Sequence, residues 1–163
     1  MNLIIIIPHY NDNLHLPELI NRVRKMCKIQ ILVIDDGSKV TPELDESIIH
    51  LINRKNRGKG YSLKKAFSYA CELGYTHAIT VDADLQHLPE NINLFIDIDS
   101  SIDLVLGYRS FTKPMPLIRI LSNSITTRII QILCRTNKVL DSQSGYRRYN
   151  LKKVLSLDCR ENG

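Results

Sequence analysis

Residues 3–7, Leu-Ile-Ile-Ile-Ile, form an unbroken apolar run, and residues 29–34 and 78–81 are similar, each interrupted by one polar residue, Gln30 and Thr80. Short runs of this kind, rich in β-branched side chains and without polar alternation, fit strands buried on both faces, as in a parallel sheet. Residues 48–52 and 103–107 predict two further strands. Between the strands the apolar period changes. Leu14, Leu16, Leu19, Ile20, Val23 and Cys27 recur at helical spacing, as do Leu63, Ala66, Phe67, Ala70 and Cys71, with Gly74 placed to end the second helix. A short helix is predicted over 92–98, starting near Pro89, and a longer one over 116–134, carrying Leu117, Ile118, Leu121, Ile125, Ile129 and Leu133. Strands alternating with helices predict an α/β domain with a mostly parallel, Rossmann-like sheet flanked by helices.

In such sheets ligands bind beyond the carboxyl ends of the strands, and the polar residues gather there. Pro8-His9-Tyr10-Asn11-Asp12 follows the first strand, Asp35-Asp36-Gly37-Ser38 the second, Asp82-Ala83-Asp84 the fourth and Tyr108-Arg109 the fifth. One acidic strand end is commonplace. Several at the same sheet edge, with basic residues nearby, point to a site.

The 163 residues, 44% of them hydrophobic, suit one domain over 1–163, with no repeat and no low-complexity stretch. Four cysteines (Cys27, Cys71, Cys134 and Cys159) form no CxxC pair, and their apolar or helical contexts predict buried free thiols of a reducing compartment. No run approaches the roughly 20 apolar residues of a membrane span, and no basic segment precedes Leu3, so a cytoplasmic domain is expected, at most peripheral to the cytoplasmic face of a membrane. The formal charge is +5, with its densest basic stretch at Arg54-Lys55-Asn56-Arg57-Gly58-Lys59, followed by Lys64-Lys65. A solvated face explains most such runs. Absence of Trp and of aromatic interleaving argues against nucleic acid, while an anionic small substrate or a lipid phosphate remains in play.

Asp82 and Asp84 are two residues apart, so in extended chain their carboxylates face the same way. Two carboxylates on one side can share a hard divalent cation such as Mg²⁺ or Mn²⁺. Taken alone, the pair reads equally well as a solvated turn or a helix cap. Tyr10 reads as a base-stacking ring or a core tyrosine, and Asp36 as a hydrogen-bond acceptor for a base or a turn cap. Gly37 fits a turn needing positive φ. Gly58 and Gly60, before a helix, either offer N–H groups to an anion or form an ordinary helix entry.

The stretch Ile79-Thr80-Val81-Asp82-Ala83-Asp84-Leu85-Gln86-His87-Leu88-Pro89-Glu90 resembles the metal-binding segment of family 2 glycosyltransferases, in particular the dolichol-phosphate mannose synthase, or polyprenyl-phosphate, branch. Other segments match in order: Ile6-Ile7-Pro8-His9-Tyr10-Asn11-Asp12, Val33-Ile34-Asp35-Asp36-Gly37-Ser38, Asn56-Arg57-Gly58-Lys59-Gly60 and Ser144-Gly145-Tyr146-Arg147-Arg148-Tyr149. The resemblance covers nearly the whole chain. It implies a GT-A fold and inverting transfer of a sugar from a GDP- or UDP-linked donor. It also implies that Pro8, Tyr10, Asp12, Ile34, Asp36 and Lys59 line the nucleotide pocket, and that Asp82 and Ala83 contact ribose and phosphate. Asp82, Asp84 and Gln86 would be the metal ligands, with Asp84 central to catalysis. Arg109, and after it Arg147, would face the diphosphate or an acceptor phosphate. Two departures stand out: Asp12 replaces the usual Glu, and Val40-Thr41-Pro42 stands where relatives have Asp-Gly-Thr. Relatives also continue beyond the last residue here, so either a C-terminal truncation or a natural short form is expected.

A sugar hydroxyl acceptor needs a general base, whereas a phosphate monoester, with a second pKa of about 6, is largely ionised at neutral pH. Hydroxyl-acceptor members of the family commonly carry a Glu-Asp pair for that purpose. None follows Asp84, and Asp141 is the nearest candidate base. A polyprenyl-phosphate acceptor is therefore expected. The alternatives are transfer to a saccharide hydroxyl and a non-catalytic nucleotide-sugar-binding module. A nucleotidyltransferase would place a glycine-rich, Arg-containing loop after the first strand, and a dinucleotide-dependent dehydrogenase a GxGxxG; neither is present. The apolar stripe of the 116–134 helix is flanked by Arg119, Arg128 and Arg135; packing on the sheet is preferred over a membrane surface.

Overall fold

A computed structural model describes residues 1–85, 88–107, 126–132, 141 and 144–157. Its elements are β1 (Leu3–His9), α1 (Leu16–Met26), β2 (Gln30–Asp35), β3 (Ile49–Ile52), α2 (Lys59–Glu72) and β4 (His77–Thr80). A 3₁₀ turn (Pro89–Asn91) leads into α3 (Ile92–Ile96) and β5 (Leu104–Leu106). Residues 126–132 form α4, and β6 (Arg147–Asn150) runs directly into α5 (Leu151–Ser156). One six-stranded sheet has the order β3-β2-β1-β4-β6-β5. The first four strands in that order pair in parallel, and β6 is antiparallel to both β4 and β5. The expected Rossmann-like, mostly parallel sheet is thus present.

The apolar run of β1 explains why it is central. Ile4, Ile5, Ile6 and Ile7 are fully buried, and strand alternation divides them between two cores. Ile5 and Ile7 join Ile31, Val33, Ile79 and the inner face of α1. Ile4 and Ile6 join Leu32, Ile34, Ala78 and the inner residues of α2, Ala66, Phe67 and Ala70. The third predicted strand is an edge strand, so residues 49–51 are only partly covered and Ile52 is 50% exposed, while Ile48 just before it is buried.

Arg148 lies in β6, between β4 and β5, and is fully buried. Its guanidinium donates to the carbonyls of Phe95 (2.9 Å), Ile98 (2.6 Å) and Asp99 (2.6 Å), which closes the C-terminal end of α3. Burial pulls this guanidinium below its ordinary pKa. The cysteine expectation needs correcting at one position: Cys71 is exposed and Cys27 half-buried, because Cys71 falls on the solvent side of α2. Cys134 and Cys159 lie outside the described residues. No helix among the described residues is long and apolar enough to cross a membrane. Of the predicted 116–134 helix, only 126–132 can be described, with Thr127 buried and Ile129 and Ile132 exposed.

Candidate active site

Strand order reverses at β1, whose neighbours are β2 and β4. The crevice beyond the carboxyl ends of such strands is where open α/β sheets bind ligands. A cleft of about 330 Å³ lies there, lined by the β1 end (Pro8, His9, Tyr10 and Asp12), Asp36 after β2, and Asn56, Gly58, Lys59 and Ser62 around the start of α2. Asp82, Ala83 and Asp84 after β4 complete its walls. The structure therefore brings together Pro8, Tyr10, Asp12, Asp36, Lys59, Asp82, Ala83 and Asp84.

Local structure decides several open readings. Tyr10 is 47% exposed at the cleft, so it is not a core tyrosine. Asp12 keeps its carboxylate at the cleft but shares it with His15 Nδ1 at 2.7 Å. Asp36 is buried, and its carboxylate is taken up by the next loop. Oδ1 accepts from Asn53 Nδ2 (2.8 Å) and Arg57 N (3.0 Å), and Oδ2 accepts from Gly58 N (2.8 Å). Burial pushes the Asp36 carboxyl up, but hydrogen bonds from Asn53, Arg57, Ser62 and Gly58 outweigh it and hold the group below its ordinary range. The N–H of Gly58 thus serves an internal carboxylate, and Gly60 lies inside α2. Gly37, at φ +77, lets the second loop touch the third. A Cβ there would lie 2.6 Å from the carbonyl carbon of Lys55.

The acidic pair starts two residues after β4 ends, in a turn rather than in the strand. Ala83 is buried between a partly covered Asp82 and an exposed Asp84. Leu85 closes the turn at φ +54, a left-handed conformation that costs a branched side chain about 1–2 kcal/mol. Its packing against the α1-side core offsets that cost. Asp82 Oδ1 pairs with Lys59 Nζ at 2.5 Å. Behind Asp82, the backbone of Gly145 lies so close that a Cβ there would collide with all three carboxylate atoms. Thr80 Oγ1 fixes that backbone by donating to Gly145 O at 2.8 Å.

Among the described residues no group of three His, Cys, Asp or Glu side chains converges as a metal cage. Asp82 and Asp84 on one cleft still suit Mg²⁺ or Mn²⁺, because such ions are held by one or two carboxylates plus waters and substrate phosphates. Gln86 and Arg109 lie outside the described residues. Three expected site residues do not line the cleft. Ile34 is fully buried, because β2 alternation turns it into the α2-side core. Asp141 is 1% exposed. Arg147 opens β6 opposite Thr80 and donates from Nε to Ser144 O at 2.6 Å.

The sequence reading missed His9, Asn56 and Ser62 in the lining. His9, 2% exposed, bonds through Nε2 to Asn13 Oδ1 at 2.8 Å, while Nδ1 has no hydrogen-bond partner. The only available signal was its place between Pro8 and Tyr10.

Residues 4–154 match the family model described as glycosyl transferase family 2. The chain is 28% identical over 170 residues to the polyprenol monophosphomannose synthase of Mycolicibacterium smegmatis, covering 95% of this chain and 64% of that protein. It is 31% identical over 184 residues to the UDP-N-acetylglucosamine–dolichyl-phosphate N-acetylglucosaminyltransferase of Methanococcus voltae, covering 96% and 73%. It is 35% identical over 116 residues to an undecaprenyl-phosphate 4-deoxy-4-formamido-L-arabinose transferase of Salmonella newport, covering 62% and 35%. The chain thus spans about two thirds or less of the length of two of these three relatives. The match to the family model over nearly its whole length makes this chain a member of glycosyl transferase family 2.

Proposed function

We propose that this domain binds a nucleoside-diphosphate sugar together with a divalent cation and transfers the sugar, with inversion, to a polyprenyl phosphate. The observation that carries the reading is the convergence of Asp82, Asp84 and Lys59 on one cleft with Tyr10, Asp12 and Asp36. The names of relatives from three organisms support the acceptor class, since each contains a polyprenol, dolichyl-phosphate or undecaprenyl-phosphate.

Each group has a task in this reading. Tyr10 offers an exposed ring for the base, and Asp12 a hydrogen-bond acceptor. Asp36 acts one step removed, by holding the 55–58 loop that forms the cleft wall. Asp82 and Asp84 would hold the cation, whose contribution is to neutralise charge on the leaving diphosphate. Lys59 adds a positive charge beside it. In the transfer, an oxygen of the acceptor phosphate forms the new bond to the anomeric carbon as the bond to the diphosphate oxygen breaks. The nucleoside diphosphate leaves with the electron pair, and the acceptor needs no base to lose a proton. Arg109 and Arg147 are the proposed partners of the acceptor or diphosphate phosphates. A lipid acceptor calls for peripheral association with a membrane surface, which in this reading is the cytoplasmic face.

The test is a panel of GDP- and UDP-sugars with Mn²⁺ or Mg²⁺, read by thermal shift and by transfer to a short polyprenyl phosphate. Metal-dependent stabilisation by one donor, lost in Asp84→Ala, is expected. Stabilisation by no donor, or one indifferent to Asp84, refutes the site. Transfer to a saccharide hydroxyl and never to the lipid phosphate refutes the acceptor.

A further inference from the structure

Lys59 is the first residue of α2, and its ammonium lies on Asp82 Oδ1. A cation at that place faces the positive end of the helix macrodipole, and the first turn of α2 carries no acid to offset it. The ammonium is therefore held by Asp82 against its own helix. Asp82 is also constrained, because the Gly145 backbone closes one side of its carboxylate. Cations on α2, on the loop before it and on β6 have different partners. Lys65 Nζ donates to Ile52 O (3.0 Å) and Asn53 Oδ1 (2.9 Å), Arg57 lies 4.5 Å from the Tyr61 ring centroid, and Arg147 donates to Ser144 O.

We propose that Lys59 is an exchangeable counter-ion for Asp82: it neutralises the carboxylate in the empty cleft and moves onto the diphosphate when a divalent cation takes its place. This deepens the metal-and-diphosphate reading given above and rests on it. No covalent bond changes; one ion pair is exchanged for two. The consequence is cooperativity. A cation arriving alone must expel the ammonium and then sit beside its unpaired charge. A diphosphate arriving alone must compete with Asp82 for Lys59. Arriving together, each removes the obstacle met by the other, and the coupling is the same whichever ligand is added first. Lys59 is 49% and Asp82 24% exposed in their side chains, so solvent screens the pair. Pairs of this kind change an equilibrium constant by about two- to fivefold.

The experiment is a Mn²⁺ titration of the full chain followed by the electron paramagnetic resonance of free Mn²⁺, alone and with GDP or UDP. The native chain, Lys59→Met and Lys59→Arg are compared. Lys59→Met is expected to bind Mn²⁺ alone about two- to fivefold more tightly than the native chain. The factor by which the nucleotide strengthens Mn²⁺ binding should shrink at least as much, and Lys59→Arg should keep the native pattern. Both variants should melt close to the native chain, since in Lys59→Met the loss of a solvent-screened ion pair opposes the removal of a cation from a helix N-terminus, and Lys59→Arg keeps both. A native chain that binds Mn²⁺ with nucleotide, beside a Lys59→Met chain that binds Mn²⁺ alone no more tightly, overturns the exchange and leaves the site reading standing. A native chain that binds no Mn²⁺ with either nucleotide overturns both.

Discussion

Asp36→Asn keeps the volume of the side chain and removes its charge, which separates a loop clamp from a ligand contact. Beside the Ser62 hydroxyl, three donors converge on this carboxylate: Asn53 Nδ2, Arg57 N and Gly58 N. Two are bound by one oxygen and the third by the other, so a carboxamide must point its NH₂ at one or more N–H groups in either orientation. Hydrogen bonds to a charged group contribute about 1.5–3 kcal/mol each, and a buried donor left unpaired costs about 1–3 kcal/mol. At 5% exposure water has little access to replace the lost acceptor. Since the remaining oxygen keeps part of the network, the net cost is about 2–4 kcal/mol. For a chain of this length that lowers the melting temperature by about 5–15 °C. The measurement is thermal unfolding by circular dichroism at neutral pH, without metal or nucleotide, because the clamp operates in the empty cleft. Acid supplies a second readout. The folded pKa of Asp36 is depressed, so its contribution is fully present above the ordinary carboxylate value near 4 and is lost as pH falls through the folded value. Asp36→Asn should lack that share of the acid loss. An unchanged melting temperature without ligand, or an acid limb identical to the native one, refutes the clamp.

Gly37→Ala places a Cβ 2.6 Å from Lys55 C and 2.8 Å from Asn56 N at a φ of +77, so urea unfolding should show a loss of about 2–4 kcal/mol. Arg148→Met leaves the carbonyls of Phe95, Ile98 and Asp99 without their donor in a fully buried place; the same measurement should show about 3–5 kcal/mol, and Arg148→Lys should recover only part of it. Gly145→Ala drives a methyl into the Asp82 carboxylate and should cost about 1–3 kcal/mol. That cost should shrink in an Asp82→Ala background, because the group it collides with is gone; a double-mutant cycle in urea measures the coupling, and additive costs would refute the contact.

The central strands were legible because their burial on both faces leaves a signal in every residue: Ile4 to Ile7 need no partner information to be read as core. The helices α1 and α2 were legible from their single buried stripe. β6 was not. Arg147-Arg148-Tyr149-Asn150 has neither an apolar run nor alternation, and Arg148 is buried only because three carbonyls from the end of α3 and the segment after it meet its guanidinium. That compensation comes from residues about fifty positions away in sequence. Ile34 misled for the complementary reason. It sits inside a site motif, yet strand alternation gives its side chain to the core.

The site motifs were visible in sequence as separate segments, and their meaning lies in how the loops bind one another. Asn11 N donates to Ser38 Oγ at 2.8 Å, and Ser38 bonds to Asp35, joining the first loop to the second. Asp36 takes the N–H groups of Arg57 and Gly58, joining the second to the third. Lys59 reaches Asp82, joining the third to the fourth, and Asp82 and Thr80 meet Gly145, joining the fourth to the approach of β6. Two motif glycines mark closest approaches in this chain, Gly37 against Lys55 and Gly145 against Asp82. A family motif that looks like a list of ligand contacts is therefore, in large part, a description of how five loops hold one another at a sheet edge. Of these links, only the one between Lys59 and Asp82 joins two charged side chains in the cleft, and both remain partly open to solvent. The Asp36 and Gly145 links cover backbone or carboxylate groups more fully, which a ligand in the cleft cannot replace at equal cost. Binding a charged ligand should thus change the cleft first at Lys59 and Asp82, and leave the Asp36 and Gly145 contacts in place.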